Sequence, residues 1–295
     1  MTQDTRQNIT KVLQLFKECH PDNVLDKTSV FFVDKDQKEI SSIRLEFPNS
    51  EVLLCWFHVL KSFKGTVAEL EVPQTTKKEI FALLQKLLHS ETEEIFGDHF
   101  YELMQVAPKH FYQYMMQNWT NIKPMWVWYD RKKQRTLGNN TTNRIEALNR
   151  ALKQLFRAVK RTRMNFSECV TSLLKFLTLS DNSLKYSEFI NAEKTPYVHH
   201  AQYGKQLTQL GKILTQKALR LILYQLQKYD EEKALYKVDD FGHGAMVIKN
   251  TKSDNSYSIQ TEISNDGKAA PEEIMTCSCS FNSTFGLFCR HIMHA

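Results

Sequence analysis

The chain has 295 residues and a formal net charge of +6, and 42% of its residues are hydrophobic. This composition is typical of globular domains and excludes a disordered or low-complexity chain. The sequence has no N-terminal signal peptide and no segment approaching the ~20 apolar residues of a membrane span, so we expect a soluble, intracellular protein without a membrane partner.

A strand, a helix and a second strand are predicted near the N-terminus. Residues 28–33 form a short apolar run that is typical of a strand buried on both faces, and the run stops at Asp34. Asp36 and Glu39 form a capping box, which predicts the start of a helix. Residues 52–56 form the second apolar run. This order predicts a parallel strand pair in an α/β core.

Helices are predicted for most of the middle of the chain. The segment 61–129 has the apolar spacing of several helices. The turn-forming residues 137–142 then precede a strongly amphipathic helix that begins at Asn143. Further helices are predicted at 166–179 and 203–229.

A basic segment lies between Met116 and Arg163, where twelve Lys or Arg residues and two acidic residues give a local charge of +10. This excess predicts contact with nucleic-acid phosphates, and a solvated helix face is the alternative. Trp126, Trp128 and Tyr129 lie close by and favour the first interpretation. The candidate nucleic-acid-binding residues are Arg131, Lys132, Lys133, Arg135, Arg150, Lys153, Arg157, Lys160 and Arg161.

The six cysteines are unevenly distributed along the chain. Three of them lie within thirteen residues at the C-terminal end, whereas Cys19, Cys55 and Cys169 are scattered. This division favours a metal site in a reducing compartment over a framework of disulfides.

Three predicted strands between residues 236 and 263 lead to the C-terminal cysteines. Cys277 and Cys279 form a Cys-x-Cys pair, and after nine intervening residues Cys289 and His291 form a Cys-x-His pair. Three thiolates and one imidazole are a common closed ligand set for structural zinc. The sequence therefore predicts a zinc site at these four residues, with His294 as the alternative fourth ligand.

The cysteine pattern, preceded by strands, resembles the SWIM zinc finger. Two further segments resemble Mutator-like transposases. VFFVDKDQKEI, followed by FPNSEVLLCWFHVLKSFK, is similar to the region around their second catalytic Asp, and LGNNTTNRIEALNRALKQ is similar to their Asn/Thr-rich loop and Glu-bearing helix. With these parts in the same order, the chain is identified as a member of the transposase-derived zinc finger SWIM domain-containing proteins.

The resemblance implies an α/β plus α fold. A partial RNase H-like core would occupy residues 1–165, with an all-helical insertion at about 61–136. A helical connector would occupy 166–233. Strands and a small, β-rich SWIM zinc finger would occupy 234–295.

The resemblance also implies roles for four residues in the core. Asp34 matches the second metal-binding carboxylate of the transposase and Glu146 the third, while Cys55 and His58 match a Cys-x-x-His element. The ancestral chemistry would be phosphoryl transfer with two Mg²⁺ ions. From the residues alone, Asp34 can instead be a polar strand end, Glu146 a capping-box residue and Cys55 a buried apolar residue.

The first catalytic Asp of the transposases has no counterpart in this chain, since no acidic residue before Asp34 ends an apolar strand. The chain is therefore either a shortened copy with no working catalytic site or a fragment of a longer protein. We expect a nuclear protein that holds structural Zn²⁺ and binds DNA or a chromatin protein without cleaving it. The alternatives are a Mutator-like transposase, which would require Mg²⁺, and a protein-interaction adaptor with a merely solvated basic helix.

Overall fold

The computed structural model shows a mixed α/β protein with two compact units. One unit consists of Met1–Thr142 and Ser283–Gly286, and the other of Asn143–Asn282 and Leu287–Ala295. Within the described part of the chain, no helix has the length and apolar character needed to cross a membrane. The structure describes residues 5–21, 25–159, 166–193, 198–253, 255–264 and 272–295.

The first unit begins with the predicted strand–helix–strand arrangement. Helix α1 (Arg6–Glu18) is followed by strand β1 (Val30–Val33), helix α2 (Gln37–Glu46) and strand β2 (Glu51–Leu54). The strands are parallel, and Val33 is opposite Leu54. The Asp36 carboxylate caps α2 by accepting hydrogen bonds from the Lys38 and Glu39 backbone amides. The predicted parallel pair and its capped helix are thus confirmed.

Helices make up the rest of this unit. In chain order they are α3 (Trp56–Ala68), α4 (Gln74–Leu88), α5 (Glu93–Val106), α6 (Lys109–Asn118), α7 (Lys123–Trp126) and α8 (Trp128–Arg131).

The helices of the first unit surround an aromatic core. The Phe63 ring lies 4.6 Å from the Trp119 ring and 5.5 Å from the Trp126 ring. The sequence at 98–117 is rich in phenylalanine, tyrosine and methionine, and it divides between α5 and α6. The division occurs because Pro108 lacks a backbone N–H and holds the preceding Ala107 in an extended conformation. Trp126 is fully buried, so its ring gives no support to the predicted nucleic-acid contact of the basic segment.

The second unit starts with four helices, α9 (Asn143–Val159), α10 (Phe166–Glu193), α11 (Gly204–Leu210) and α12 (Gln216–Glu232). The predicted single helix at 203–229 is therefore two, because the Thr215 side chain caps a new helix by accepting a hydrogen bond from the Ala218 amide.

The apolar face of α9 is exposed in its first two turns. Ile145 and Leu148 on this face are 59% and 44% exposed, so the face is not buried there.

A four-stranded antiparallel sheet follows in the second unit. Its strands are β3 (Tyr236–Asp240), β4 (Ala245–Asn250), β5 (Ser256–Ser264) and β6 (Glu272–Cys277), in the spatial order of the sequence. Three of them were predicted, and β6 was not. Beyond β6 come a short helix, α13 (Ser280–Phe285), and a final 3₁₀ turn at Ile292–His294.

Candidate metal centres

The C-terminal cysteines and one histidine form a buried cluster. Cys277 is the last residue of β6, and Cys279 precedes α13 directly. The chain then returns through a turn that brings Cys289 and His291 to the same point. All four side chains are buried, and one ligand atom from each lies within 4.8 Å of the others.

The distances within this cluster suit a tetrahedral zinc ion. The Nδ1 atom of His291 lies 3.8 Å from the sulfur of Cys277 and 3.8 Å from the sulfur of Cys289. A tetrahedral Zn²⁺ with ordinary Zn–S and Zn–N bond lengths would separate such atoms by about 3.6 Å. Only small side-chain movements would be needed, so this Cys₃His group could hold a zinc ion.

Backbone amides and Asn282 hold the sulfur atoms in place. The amides of Cys279 and Asn282 donate to the sulfurs of Cys277 and Cys279, at 3.5 and 3.4 Å. The Asn282 side chain accepts from the Cys277 amide at 2.9 Å and donates to the Leu287 carbonyl at 2.9 Å. Amide donors of this kind stabilise negatively charged ligands. Asn282 also connects the segment that carries Cys277 to the segment that leads to Cys289. Sequence analysis missed Asn282, because ligand spacing alone does not identify such supporting residues.

The three neighbouring thiols compete for protons. The hydrogen bond between the Cys277 and Cys279 side chains raises the pKa of Cys277 and lowers the pKa of Cys279. A divalent cation would replace the remaining protons and neutralise the sulfur charges, so zinc binding should release protons and weaken in acid.

The structure distinguishes His291 from His294. His291 joins the three cysteines, and its ring stacks on Tyr257 with centroids 3.8 Å apart. The His294 ring instead lies against Tyr229 and Tyr236, at 4.7 and 5.1 Å. The geometry therefore favours His291 as the fourth ligand.

The cluster rests on the sheet and on α12. Its cysteines pack against the buried side chains of Ile248 and Ile259. Arg290, between the last two candidate ligands, forms an ion pair with Glu232 at 3.0 Å, and its amide donates to the buried Gln225 side chain at 3.1 Å. These contacts hold the segment Cys289–His291 in place.

The turn before Cys289 requires a glycine. Gly286 has a φ of +65°, in the left-handed region that most residues avoid. A Cβ at this position would also come within 2.9 Å of the Arg135 guanidinium. The positive φ is the constraint that favours glycine here, because the Arg135 guanidinium is the end of a flexible, exposed side chain that can move aside.

A second group of possible metal ligands lies in the first unit. It consists of Asp34, Cys55 and His58, with one ligand atom of each within 4.8 Å of the others. Asp34 Oδ1 and His58 Nδ1 are 2.8 Å apart. The resemblance matched Asp34 to a metal-binding carboxylate and Cys55 and His58 to a Cys-x-x-His element. The structure brings all three side chains together. Glu146, the third predicted carboxylate, is a half-buried residue in the first turn of α9 and belongs to the other unit.

Arg131 is not a nucleic-acid-binding residue in this structure, which corrects the prediction. It is only 1% exposed, and its guanidinium donates to the Leu54 carbonyl at 2.7 Å and to the Asn140 side chain at 3.3 Å. It also lies over the Trp56 ring, 4.9 Å from the centroid. Burial lowers the pKa of Arg131 to about 9. A guanidinium enclosed in this way cannot reach a DNA phosphate.

The other candidate basic residues have different surroundings. Lys132 donates to the Glu91 carbonyl at 2.8 Å, and Lys133 is 3.9 Å from Asp130. Arg135, Arg150 and Lys153 are exposed. Lys160, Arg161 and the side chain of Arg157 lie outside the described residues.

Two domains of one known family match parts of the chain. The RNaseH-like domain of zinc finger SWIM domain-containing protein 1/3 matches residues 1–53, and the helical domain of the same proteins matches residues 61–188. No solved structure was found to match the chain. The first match includes β1 and α2, and the two together cover more than half of the chain. The chain belongs to the family of zinc finger SWIM domain-containing proteins 1 and 3.

Proposed function

We propose that this chain is a transposase-derived zinc protein that binds DNA or a chromatin protein in the nucleus without cleaving DNA. The C-terminal cluster would hold a structural zinc ion, with Cys277, Cys279, Cys289 and His291 as ligands. The RNaseH-like match and the resemblance to Mutator-like transposases support descent from a DNA-processing enzyme with a helical insertion in its core.

The exposed basic face of α9 is the observation that carries DNA binding. Arg150 and Lys153 are both exposed there. The structure shows no ion pair for Arg150 or Lys153 among the residues it describes. Exposed cations without carboxylate partners are free to neutralise DNA phosphates and release counterions.

The surroundings of Asp34 support a protein without nuclease activity. Two-metal phosphoryl transfer uses Mg²⁺, which prefers oxygen ligands. Asp34 instead lies with a thiol and an imidazole, and no second carboxylate belongs to this group in the described parts of the chain. This ligand set differs from the one that two magnesium ions require.

Charge reversal on α9 tests DNA binding. We expect Arg150→Glu combined with Lys153→Glu to weaken binding to duplex DNA of any sequence and to make the slope of log K against log salt shallower by about 2, one unit per lost phosphate contact. Fluorescence anisotropy at several salt concentrations measures both quantities.

The double variant Lys217→Glu and Arg220→Glu is the matched control. These two residues have the same spacing, are exposed, and lie on α12 in the same unit. An equal loss of affinity in both double variants would contradict a role for α9. Mg²⁺-dependent DNA nicking that Asp34→Asn abolishes would favour the transposase alternative.

A further inference from the structure

A three-residue cluster lies at the carboxyl ends of the two parallel strands. Asp34 follows β1 directly, Cys55 follows β2 directly, and His58 lies in the first turn of α3. Because the strands are parallel and in register at Val33 and Leu54, the residues after them emerge side by side. This edge of an open α/β sheet is the usual place for ligands.

We propose that Asp34, Cys55 and His58 bind one divalent transition-metal ion of the zinc class, separately from the C-terminal Cys₃His cluster. The donors are a carboxylate oxygen, a sulfur and an imidazole nitrogen, all within 4.8 Å of one another. Sulfur and nitrogen donors select zinc-like ions over Mg²⁺. Three protein ligands with an open fourth position are the arrangement of reactive zinc sites.

The space beside these donors can hold the fourth ligand. A cavity of about 120 Å³ adjoins the cluster and is lined by Asp34, Cys55 and His58, with Lys35, Ser62 and Trp119 among its other walls. A water molecule needs only about 30 Å³ of liquid volume, so the cavity has room for a metal-bound water or a small ligand.

The charges around Cys55 also suit a metal-bound sulfur. The Thr142 amide donates to this sulfur at 3.3 Å. The buried Arg131 guanidinium hydrogen-bonds the adjacent Leu54 carbonyl and interacts favourably with Cys55. One divalent ion balances the charges of one carboxylate and one thiolate, so the ion and its ligands carry no net charge between them.

Metal content of the full-length chain tests this site. After incubation with excess Zn²⁺ and removal of free metal, we expect two zinc ions per chain. His58→Ala and Asp34→Asn should each leave one, and both positions are solvent-accessible enough for the variants to fold. His110→Ala, which changes an exposed histidine on α6, should keep two. Excess Mg²⁺ should displace neither ion.

Other results would overturn the assignment. A wild-type chain that holds one zinc ion would show that Asp34 and His58 form only an ion pair beside a buried thiol. Two ions retained in both folded variants, His58→Ala and Asp34→Asn, would place the second ion elsewhere, and displacement by Mg²⁺ would indicate an oxygen-rich site. Cys277→Ala should remove only the ion of the C-terminal Cys₃His cluster. The experiment therefore distinguishes a missing ion at that cluster from a missing ion at Asp34, Cys55 and His58.

Discussion

Replacing Cys277 by alanine will release one zinc ion per chain and unfold the C-terminal module. The sulfur is buried at the end of β6 and shares its cluster with two other thiols and His291. Structural zinc contributes about 10–16 kcal/mol to the folding of isolated zinc fingers, so losing one of four ligands should leave this segment without its main source of stability. Elemental analysis of the purified chain measures the zinc, and proteolysis near residues 272–295 measures the unfolding.

A control variant and a pair of histidine variants make this prediction more specific. Cys19 is an exposed free cysteine, so Cys19→Ala should keep the wild-type zinc content. His291→Ala should behave like Cys277→Ala, whereas His294→Ala should retain the ion. Zinc lost from His294→Ala and retained by His291→Ala would show that the fourth ligand had been assigned to the wrong histidine.

Replacing Arg131 by alanine will destabilise the first unit by about 3 kcal/mol or more, because it leaves the buried Leu54 carbonyl without its donor and opens a cavity between Phe32 and Trp56. Urea unfolding of the full chain, followed by tryptophan fluorescence, measures this loss. Arg131→Lys should recover only part of the stability, since an ammonium group lacks the planar fork that reaches both Leu54 and Asn140.

The neighbouring Lys133 is the control for Arg131. It belongs to the same basic run but is exposed, so Lys133→Ala should change stability by less than about 0.5 kcal/mol. A similar small change at Arg131 would show that its side chain is not part of the core.

Local signals made the strands and the Cys₃His cluster predictable. The apolar runs before Asp34 and Cys55 favour strands, of which β2 is buried at three of its four residues and β1 only at Val33. Asp36 marks the start of α2 by its capping chemistry. The spacing of Cys277, Cys279, Cys289 and His291 likewise carries its own chemistry, because four such ligands satisfy one zinc ion.

Other features depend on contacts that no local pattern records. Arg131 lies beside Lys132 and Lys133, so its sequence context predicted exposure, whereas tertiary hydrogen bonds bury it. Strand β6 was missed because its start carries Glu272 and Glu273, and its pairing with β5 decides its conformation. The stacking of Tyr257 on His291 also joins residues that are distant in sequence.

The family match reaches one of the two candidate metal clusters, and there only at Asp34. One cluster lies in the C-terminal module, and the other contains Asp34 of the RNaseH-like segment. An ancestral nuclease that lost its oxygen-rich magnesium site but kept its basic surface would still bind DNA. Phosphate binding is therefore the central property that we propose for the chain.

The salt dependence of DNA binding tests this central property most directly. The affinity of the zinc-loaded, full-length chain for a duplex without a chosen sequence should fall steeply with salt, with a slope of log K against log salt of about −3 or steeper, and Mg²⁺ should produce no cleavage. Absence of binding at low salt, or a slope near zero, would contradict the account and favour a protein-interaction adaptor.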